Sequence, residues 1–404
     1  MTNQEKIYAY ITRLFNSPPK RVLMLTPPGV DKNDFRLELV VSKRYWAYPP
    51  YGTGVLCRQL ENAGYVVDLL DMNYVMLDGA HRWKEKYEYD SWKTVLRDKI
   101  LSFQPDLIGI SCMYTMHDSC LKMLATEIKA TFPEIPVIAG GVHVTADRSQ
   151  VLRECPAIDF VGVYECDSSF PALLDALNGK RPMASVAQVA AIVDGEEIVL
   201  DQRQTLPIAA DMVAPNYCDM PIDKYDDLGQ VGVYGFMREG RRASVMLAER
   251  GCRAKCSFCS VRIFNGPKVR RREAVAVADE IENLARAYDI RHITWLDDDL
   301  LFNEERSIEL FDEIASRKLD LTWDATNGLI AAAITPRLLD SMVASGCIGF
   351  NLGLESGSPE ILREIHKPGT VDAYFKCKDI VSRYPELFVK GFLIIGFPHE
   401  TFRM

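Results

Sequence analysis

No stretch of this sequence approaches the about 20 consecutive apolar residues that span a bilayer. The N-terminus, Met1 to Asn16, mixes charged and apolar residues without the continuous apolar core of a signal peptide. These two absences lead us to expect a soluble, cytoplasmic protein with no transmembrane segment. Basic charge is also short: 47 Lys and Arg stand against 56 Asp and Glu, a formal charge of −9. A phosphate backbone needs clustered cations, so no nucleic-acid partner is expected. The one basic cluster, Lys268 to Arg272, reads as a solvated face or a local anion clamp. No G-x-G-x-x-G follows the first apolar run, which disfavours a nicotinamide dinucleotide.

What is present is ordinary in bulk. The chain is 404 residues long, 48% hydrophobic and 25% charged, enough for about two or three domains with cores of their own. Eleven cysteines, an odd number without a secretory signal, point to reduced thiols and metal ligands rather than a disulfide framework.

Residues 1–19 read as a short amphipathic helix and a linker closed by Pro18-Pro19. Apolar runs then recur at 21–26, 66–71, 106–112, 135–139 and 158–163, with helical spacing between them. Such alternation predicts a parallel sheet covered on both faces, a doubly wound α/β domain over 20–180. Ligands of these sheets bind beyond the strand carboxyl ends. Those ends carry Thr26 and Pro27, Ser111 and Tyr114, Gly140, Gly141 and His143, and Glu165. Around Asp194-Gly195 a hairpin signal appears, and 181–240 is expected to connect two domains. Alternation resumes over 241–404, predicting a partial (β/α) barrel whose function sits at strand C-terminal ends. The fifth strand of that unit is followed closely by Met404, so an incomplete barrel, a fragment, is expected.

The most specific signal follows the first strand of this second unit. Cys252, Cys256 and Cys259 are spaced C-x3-C-x2-C on one short loop. A [4Fe–4S] cluster normally takes four cysteines; a loop supplying three leaves one iron open to a small molecule. The alternative is zinc, which closes with four Cys or His ligands, often as paired C-x2-C units. Cys347 or Cys377 would then be a candidate fourth ligand, although neither belongs to a second pair.

C-x3-C-x2-C with Phe258 before the last cysteine resembles the signature of the radical S-adenosylmethionine superfamily. The resemblance implies that S-adenosylmethionine chelates the open iron and, on reduction, releases a 5′-deoxyadenosyl radical that abstracts hydrogen from substrate. It further implies that Phe258 lies in the S-adenosylmethionine site and that Asp298, in Trp295–Asp299, accepts from the methionyl amine. Glu355, in Gly353–Ser358, would bind the ribose hydroxyls, and Gly396, in Gly391–Glu400, would meet the adenine through its backbone. Asp298 and Glu355 have a plainer alternative as helix-capping carboxylates.

Residues 20–180, with Pro-Pro-Tyr-Gly at 49–52, Gly-Gly-x-His at 140–143 and Phe160–Glu165, resemble the cobalamin-binding domain of the cobalamin-dependent subfamily. The strand-end residues named above would then be cobalamin contacts, with His143 as well suited to a packed or solvated loop. Two departures stand out: the D-x-H-x-x-G ligand motif is absent, as is common in this subfamily, and Tyr164-Glu165-Cys166-Asp167 replaces a common Gly-Glu-Gly-Glu. The resemblance implies methyl transfer to an unactivated carbon or phosphorus centre of a small molecule, with an electron donor such as flavodoxin or ferredoxin. A non-methylating radical reaction (oxidative cyclisation or ring contraction) and an inactive corrinoid-binding fragment are the alternatives.

Overall fold

Runs such as Val22–Leu25 and Leu107–Ile110 are buried at every position, as strands of a sheet covered on both faces must be. The structure is a computed structural model that describes residues 2–200, 212–232 and 240–401. The chain divides into two units, Met1–Pro207 with Val213–Gln230, and Ile208–Met212 with Val231–Met404.

The first unit holds β1 (Arg21–Thr26), β2 (Val66–Asp71), β3 (Leu107–Ser111), β4 (Val137–Gly140) and β5 (Phe160–Gly162). They pair in parallel in the order 2-1-3-4-5, the flavodoxin-like winding. Helices at 51–62, 92–103, 118–131 and 169–177 fall where the apolar spacing places them. Two more, Met72–Trp83 and Val142–Glu154, escape that spacing; the second is kinked at Asp147, which leaves helical geometry.

The hairpin expected in a connector belongs instead to this sheet. β6 (Val189–Val193) pairs antiparallel with β5, and β7 (Glu196–Leu200) with β6. β5 ends the parallel order, and an unpaired edge there would expose its backbone groups. The N-terminal helix Asn3–Arg13, started by a capping box from Thr2 and Glu5, packs beside the hairpin, where the Tyr8 hydroxyl donates to Val186 O at 2.8 Å. Residues 213–230 return to the same unit, with the Tyr225 hydroxyl donating to Asp71 at 2.9 Å. Residues 201–211 and 233–239 of the expected connector lie outside the described residues.

The second unit contains β8 (Ala243–Met246), the short antiparallel pair β9 (Glu249–Arg250) and β10 (Arg270–Arg271), then β11 (His292–Trp295), β12 (Thr322–Leu329), β13 (Cys347–Glu355) and β14 (Phe388–Leu393). The order 14-13-12-11-8 is parallel throughout. β8 and β14 are the two edges, yet Phe258 beyond β8 meets Phe397 beyond β14 with ring centroids 5.9 Å apart. The sheet therefore curls toward closure, as the expected partial barrel requires.

Its outer face packs on helices: Phe311 stacks on Trp323 at 5.0 Å, and Trp295 meets Trp323 edge-on at 6.3 Å. Residues of opposite parity carry a polar group. His292 is fully buried, with Nε2 donating to the Asp324 carboxylate at 3.0 Å and Nδ1 2.9 Å from Thr322 Oγ1. Removing the acceptor strips a buried donor of this partner, at a cost of about 1–3 kcal/mol. Asp324→Ala should therefore speed amide hydrogen exchange in β11 and β12; exchange unchanged from the parent would show the pair to be dispensable.

Candidate functional site

Parallel pairing puts the C-terminal ends of the five sheet strands of the second unit on one rim, and the chemistry-bearing residues gather there. The cysteine loop follows β8 and β9, the triple aspartate follows β11, Glu355 closes β13, and Gly396 follows β14.

Each aspartate of the triple has its own surroundings. The Asp297 carboxylate is buried and accepts from the amides of Ala248 and Glu249, at 2.7 Å for the latter, fixing the turn that launches the cysteine loop. Burial pushes its carboxyl up, and those amides pull the other way. Asp299 accepts from the Arg253 amide at 3.1 Å and pairs with its guanidinium at 3.0 Å. Arg253 also donates to the carbonyls of Leu301 and Phe302, so the residue after Cys252 ties the loop to the end of β11. Asp298, between these two, is half-buried on the rim.

Two arginines of the basic cluster are turned inward, while Lys268 is exposed. Arg271 pairs with the fully buried Glu249 at 2.5 Å, and Arg272 with Glu280 at 2.5 Å, both buried. They brace β9, β10 and the following helix, because the arginines fall where buried carboxylates need counter-charges. The reading as a solvated face or an anion clamp is corrected for Arg271 and Arg272.

All eleven cysteines are unbridged. Cys252 and Cys256 are half-buried and Cys259 is exposed. Burial, with Asp299 and Asp298 nearby, pushes the Cys252 thiol up to about 12, although the Ala254 amide donates to its sulfur at 3.4 Å. Among the described residues no three Cys, His, Asp or Glu side chains stand close enough together to hold an ion. The three thiols share a loop without converging on a point. Gathering them asks for rotation of exposed and half-exposed side chains, not the opening of a packed core, so the donor set fits a cluster that completes the loop on binding. Cys347 and Cys377 do not join them. Cys347 opens β13 while Glu355 closes it, so Cys347 lies at the opposite rim, about 26 Å away at about 3.3 Å per residue. Cys377 is buried within the helix Val371–Val381.

Three features of this rim go beyond the residues that the motifs single out. Lys367 donates to Glu355 Oε1 at 2.7 Å. β12 carries a register shift between Ala325 and Leu329, where Asn327 donates to Leu296 O at 2.6 Å. Glu400 accepts from the amides of Gly396 (φ +99°) and Phe397, holding the turn beyond β14. A cavity of about 500 Å³ lies against the cysteine loop, lined by Arg253, Ala254, Lys255, His366 and Pro368.

On the first unit the strand-end residues also share one rim, but several are engaged by the protein. Thr26 donates to Asp71 at 2.6 Å, and Pro27 is buried. His143 is 2% exposed, with Nε2 2.9 Å from Asp118; it is a packed histidine. Gly141 has φ +105°, and a Cβ there would stand 2.4 Å from Cys112 O, so this glycine serves the chain's own close approach. Tyr164 adopts φ +64°, a left-handed conformation that glycine takes at no steric cost, and Glu165 is buried. Gly140 and Ser111 are half-buried. Tyr114 is exposed and its hydroxyl meets that of Tyr48 at 3.1 Å. Beside it Met113 and Met116 are 56% and 78% exposed, and Trp46 in the loop after β1 is 48% exposed. Exposed apolar side chains concentrated at a strand-end rim suit a broad, flat ligand such as a corrin.

Two family models match the chain: residues 37–174 match the B12 binding domain and residues 248–404 the Radical SAM superfamily. Residues 37–174 thus form a B12-binding domain and residues 248–404 a radical SAM domain. The radical SAM match begins just before the cysteine loop and takes in the whole rim beyond it; the B12-binding match spans the exposed apolar side chains.

An uncharacterized methyltransferase of Pyrococcus horikoshii is 29% identical over 303 residues, covering 75% of this chain and 62% of that protein. An anaerobic magnesium-protoporphyrin IX monomethyl ester cyclase of Cereibacter sphaeroides is 26% identical, covering 88% and 55%. The chain thus spans about 62% and 55% of the lengths of these relatives. The structure of the radical S-adenosylmethionine methyltransferase TsrM from Kitasatospora setae superposes with a TM-score of 0.73 at 20% identity, covering 95% of this chain and 69% of TsrM. At that identity the likeness is one of fold. No described helix is long and apolar enough to cross a membrane.

The rim geometry makes the cysteines unequal. After anaerobic reconstitution with iron and sulfide, Cys256→Ala should lose the visible chromophore, while Cys347→Ala should keep it. Loss in both variants would place a ligand at the wrong end of β13.

Proposed function

We propose that Cys252, Cys256 and Cys259 of the radical SAM domain hold a [4Fe–4S] cluster, that S-adenosylmethionine binds along the same rim, and that the B12-binding domain holds cobalamin. The reaction is methyl transfer to an unactivated carbon or phosphorus centre of a small molecule. The cluster supplies single electrons, S-adenosylmethionine the radical and methyl chemistry, and cobalamin a carrier for the methyl group.

The chain's residues bind and orient. Arg253 and Asp299 hold the loop to β11, Asp298 stands on the rim as the acceptor for the methionyl amine, and Glu355, held by Lys367, receives the ribose hydroxyls. Phe258, with its ring against Phe397, and the Gly396 backbone offer apolar and backbone surface for adenine. On the first unit Tyr114 lies on the exposed apolar rim, and Ser111, Gly140 and Gly141 shape the strand ends beside it. Thr26, through Asp71, and Glu165 with His143, both packed, order the loops under the ligand. A one-electron donor of flavodoxin or ferredoxin type has the exposed Lys255 to approach, and eleven unbridged cysteines suit a reducing cytoplasm. The observation that carries the reading is the gathering of three unbridged thiols, Asp298, Glu355 and Gly396 on one strand rim.

The match to a cyclase supports a second reading, a non-methylating radical reaction with the same cofactors. One experiment separates the two. The reconstituted chain, loaded with hydroxocobalamin, is expected to bind about four irons, keep a red colour through gel filtration, and form both 5′-deoxyadenosine and S-adenosylhomocysteine. 5′-Deoxyadenosine alone would favour the cyclase-like reaction. A zinc-only or colourless protein would overturn both.

A further inference from the structure

Lys367 follows the short helix Pro359–Glu364 and belongs to no motif. Its Nζ lies 2.7 Å from Oε1 of Glu355, with the two side chains only 11% and 9% exposed. Taking two charges out of water is costly and their attraction barely repays it, so a pair at this depth is poorly explained as a stabilising device.

Its surroundings point to the rim. Gly353 has no side chain to spare: a Cβ there would stand 2.6 Å from Lys367 Nζ and 2.8 Å from Glu355 Oε1. The pair occupies the space that any other residue of β13 would fill. Glu355 itself holds φ +71°, a left-handed conformation that is strained for a non-glycine residue and persists where neighbours enforce it. The Ser257 amide, within the cysteine loop, donates to Ile365 O at 3.0 Å, and the Lys367 amide donates to Leu362 O at 3.0 Å. The segment that carries Lys367 is thus fastened to the loop that carries the thiols. Ser257 directly follows Cys256 and Ile365 lies two residues before Lys367, so the ammonium that meets Glu355 is carried on a segment fastened beside a proposed cluster ligand.

We propose that Lys367 is a positioning residue for both bound groups: it holds the Glu355 carboxylate in the orientation that receives the ribose hydroxyls, and its charge favours the reduced, more negative cluster. This rests on the assignment of Cys256 and Glu355 in the proposed function. A cation close to a cluster raises its reduction potential, and an anion lowers it, by the same Coulomb argument with opposite sign.

The test uses the full chain reconstituted anaerobically, with the cluster potential read by EPR-monitored titration and S-adenosylmethionine affinity by equilibrium dialysis. Lys367→Gln should move the potential negative and weaken binding about tenfold or more, the scale of a lost charged hydrogen bond. Lys367→Arg should bring the potential back toward the parent. Glu355→Gln should weaken binding as well, but move the potential positive. A merely structural ion pair would lower the melting temperature in both variants without opposite shifts in potential. If Lys367→Gln does not fold, the positive shift in Glu355→Gln and the retained potential of Lys367→Arg carry the test. Potentials that stay unchanged, or move the same way in both variants, overturn the inference. A parent chain that takes up no cluster overturns the proposed function, and this inference with it.

Discussion

A buried carboxylate holding two backbone amides is the constraint on which the second unit's rim depends. Asp297 accepts from Ala248 and Glu249 just where the chain leaves β8, and Asp299, two residues on, clamps Arg253 inside the cysteine loop. Three successive residues after one strand thus fix the start of the neighbouring loop, brace its middle, and leave Asp298 on the rim between. The parallel sheet does the rest. Because all five strands run the same way, whatever follows β8, β11, β13 and β14 arrives at the same end, and the curl that brings Phe258 to Phe397 sets the first and last of those loops side by side.

The radical SAM rim and the B12-binding rim solve the same problem in different ways. On the first the interior is charged: Arg271 with Glu249, Arg272 with Glu280, and Lys367 with Glu355 are all largely withdrawn from water. Such pairs add little net stability, yet breaking one leaves a buried charge exposed to its full desolvation cost; their effect is to fix geometry beside the cysteine loop. On the B12-binding unit the strand ends are quieter. Thr26, His143 and Gly141 face their own protein, and the exposed surface is thioether and aromatic, supplied by Met113, Tyr114, Met116 and Trp46.

Much of the fold was legible because parallel strands buried on both faces announce themselves as short apolar runs, and because three thiols on one loop have few explanations. What escaped depends on distance along the chain. The β6–β7 hairpin reads as an independent unit since nothing local says that β5 needs a partner on its free edge. The helix Val142–Glu154 breaks its own periodicity at Asp147. Arg271 finds Glu249 from 22 residues away, and Lys367 finds Glu355 across a helix and its reversal, so the Lys268–Arg272 run looked solvated and Lys367 looked like nothing in particular. At Asp298 and Glu355 the residues were visible from the sequence, while the ion pairs that position their neighbours were not.

The central claim is that three cysteines hold a four-iron cluster with one iron left to a small ligand. Mössbauer spectroscopy of the ⁵⁷Fe-reconstituted chain, with and without S-adenosylmethionine, tests it most directly. The account predicts that one iron in four changes its isomer shift and quadrupole splitting on addition while the other three stay as they were. A spectrum in which all irons respond alike, or none responds, would contradict it.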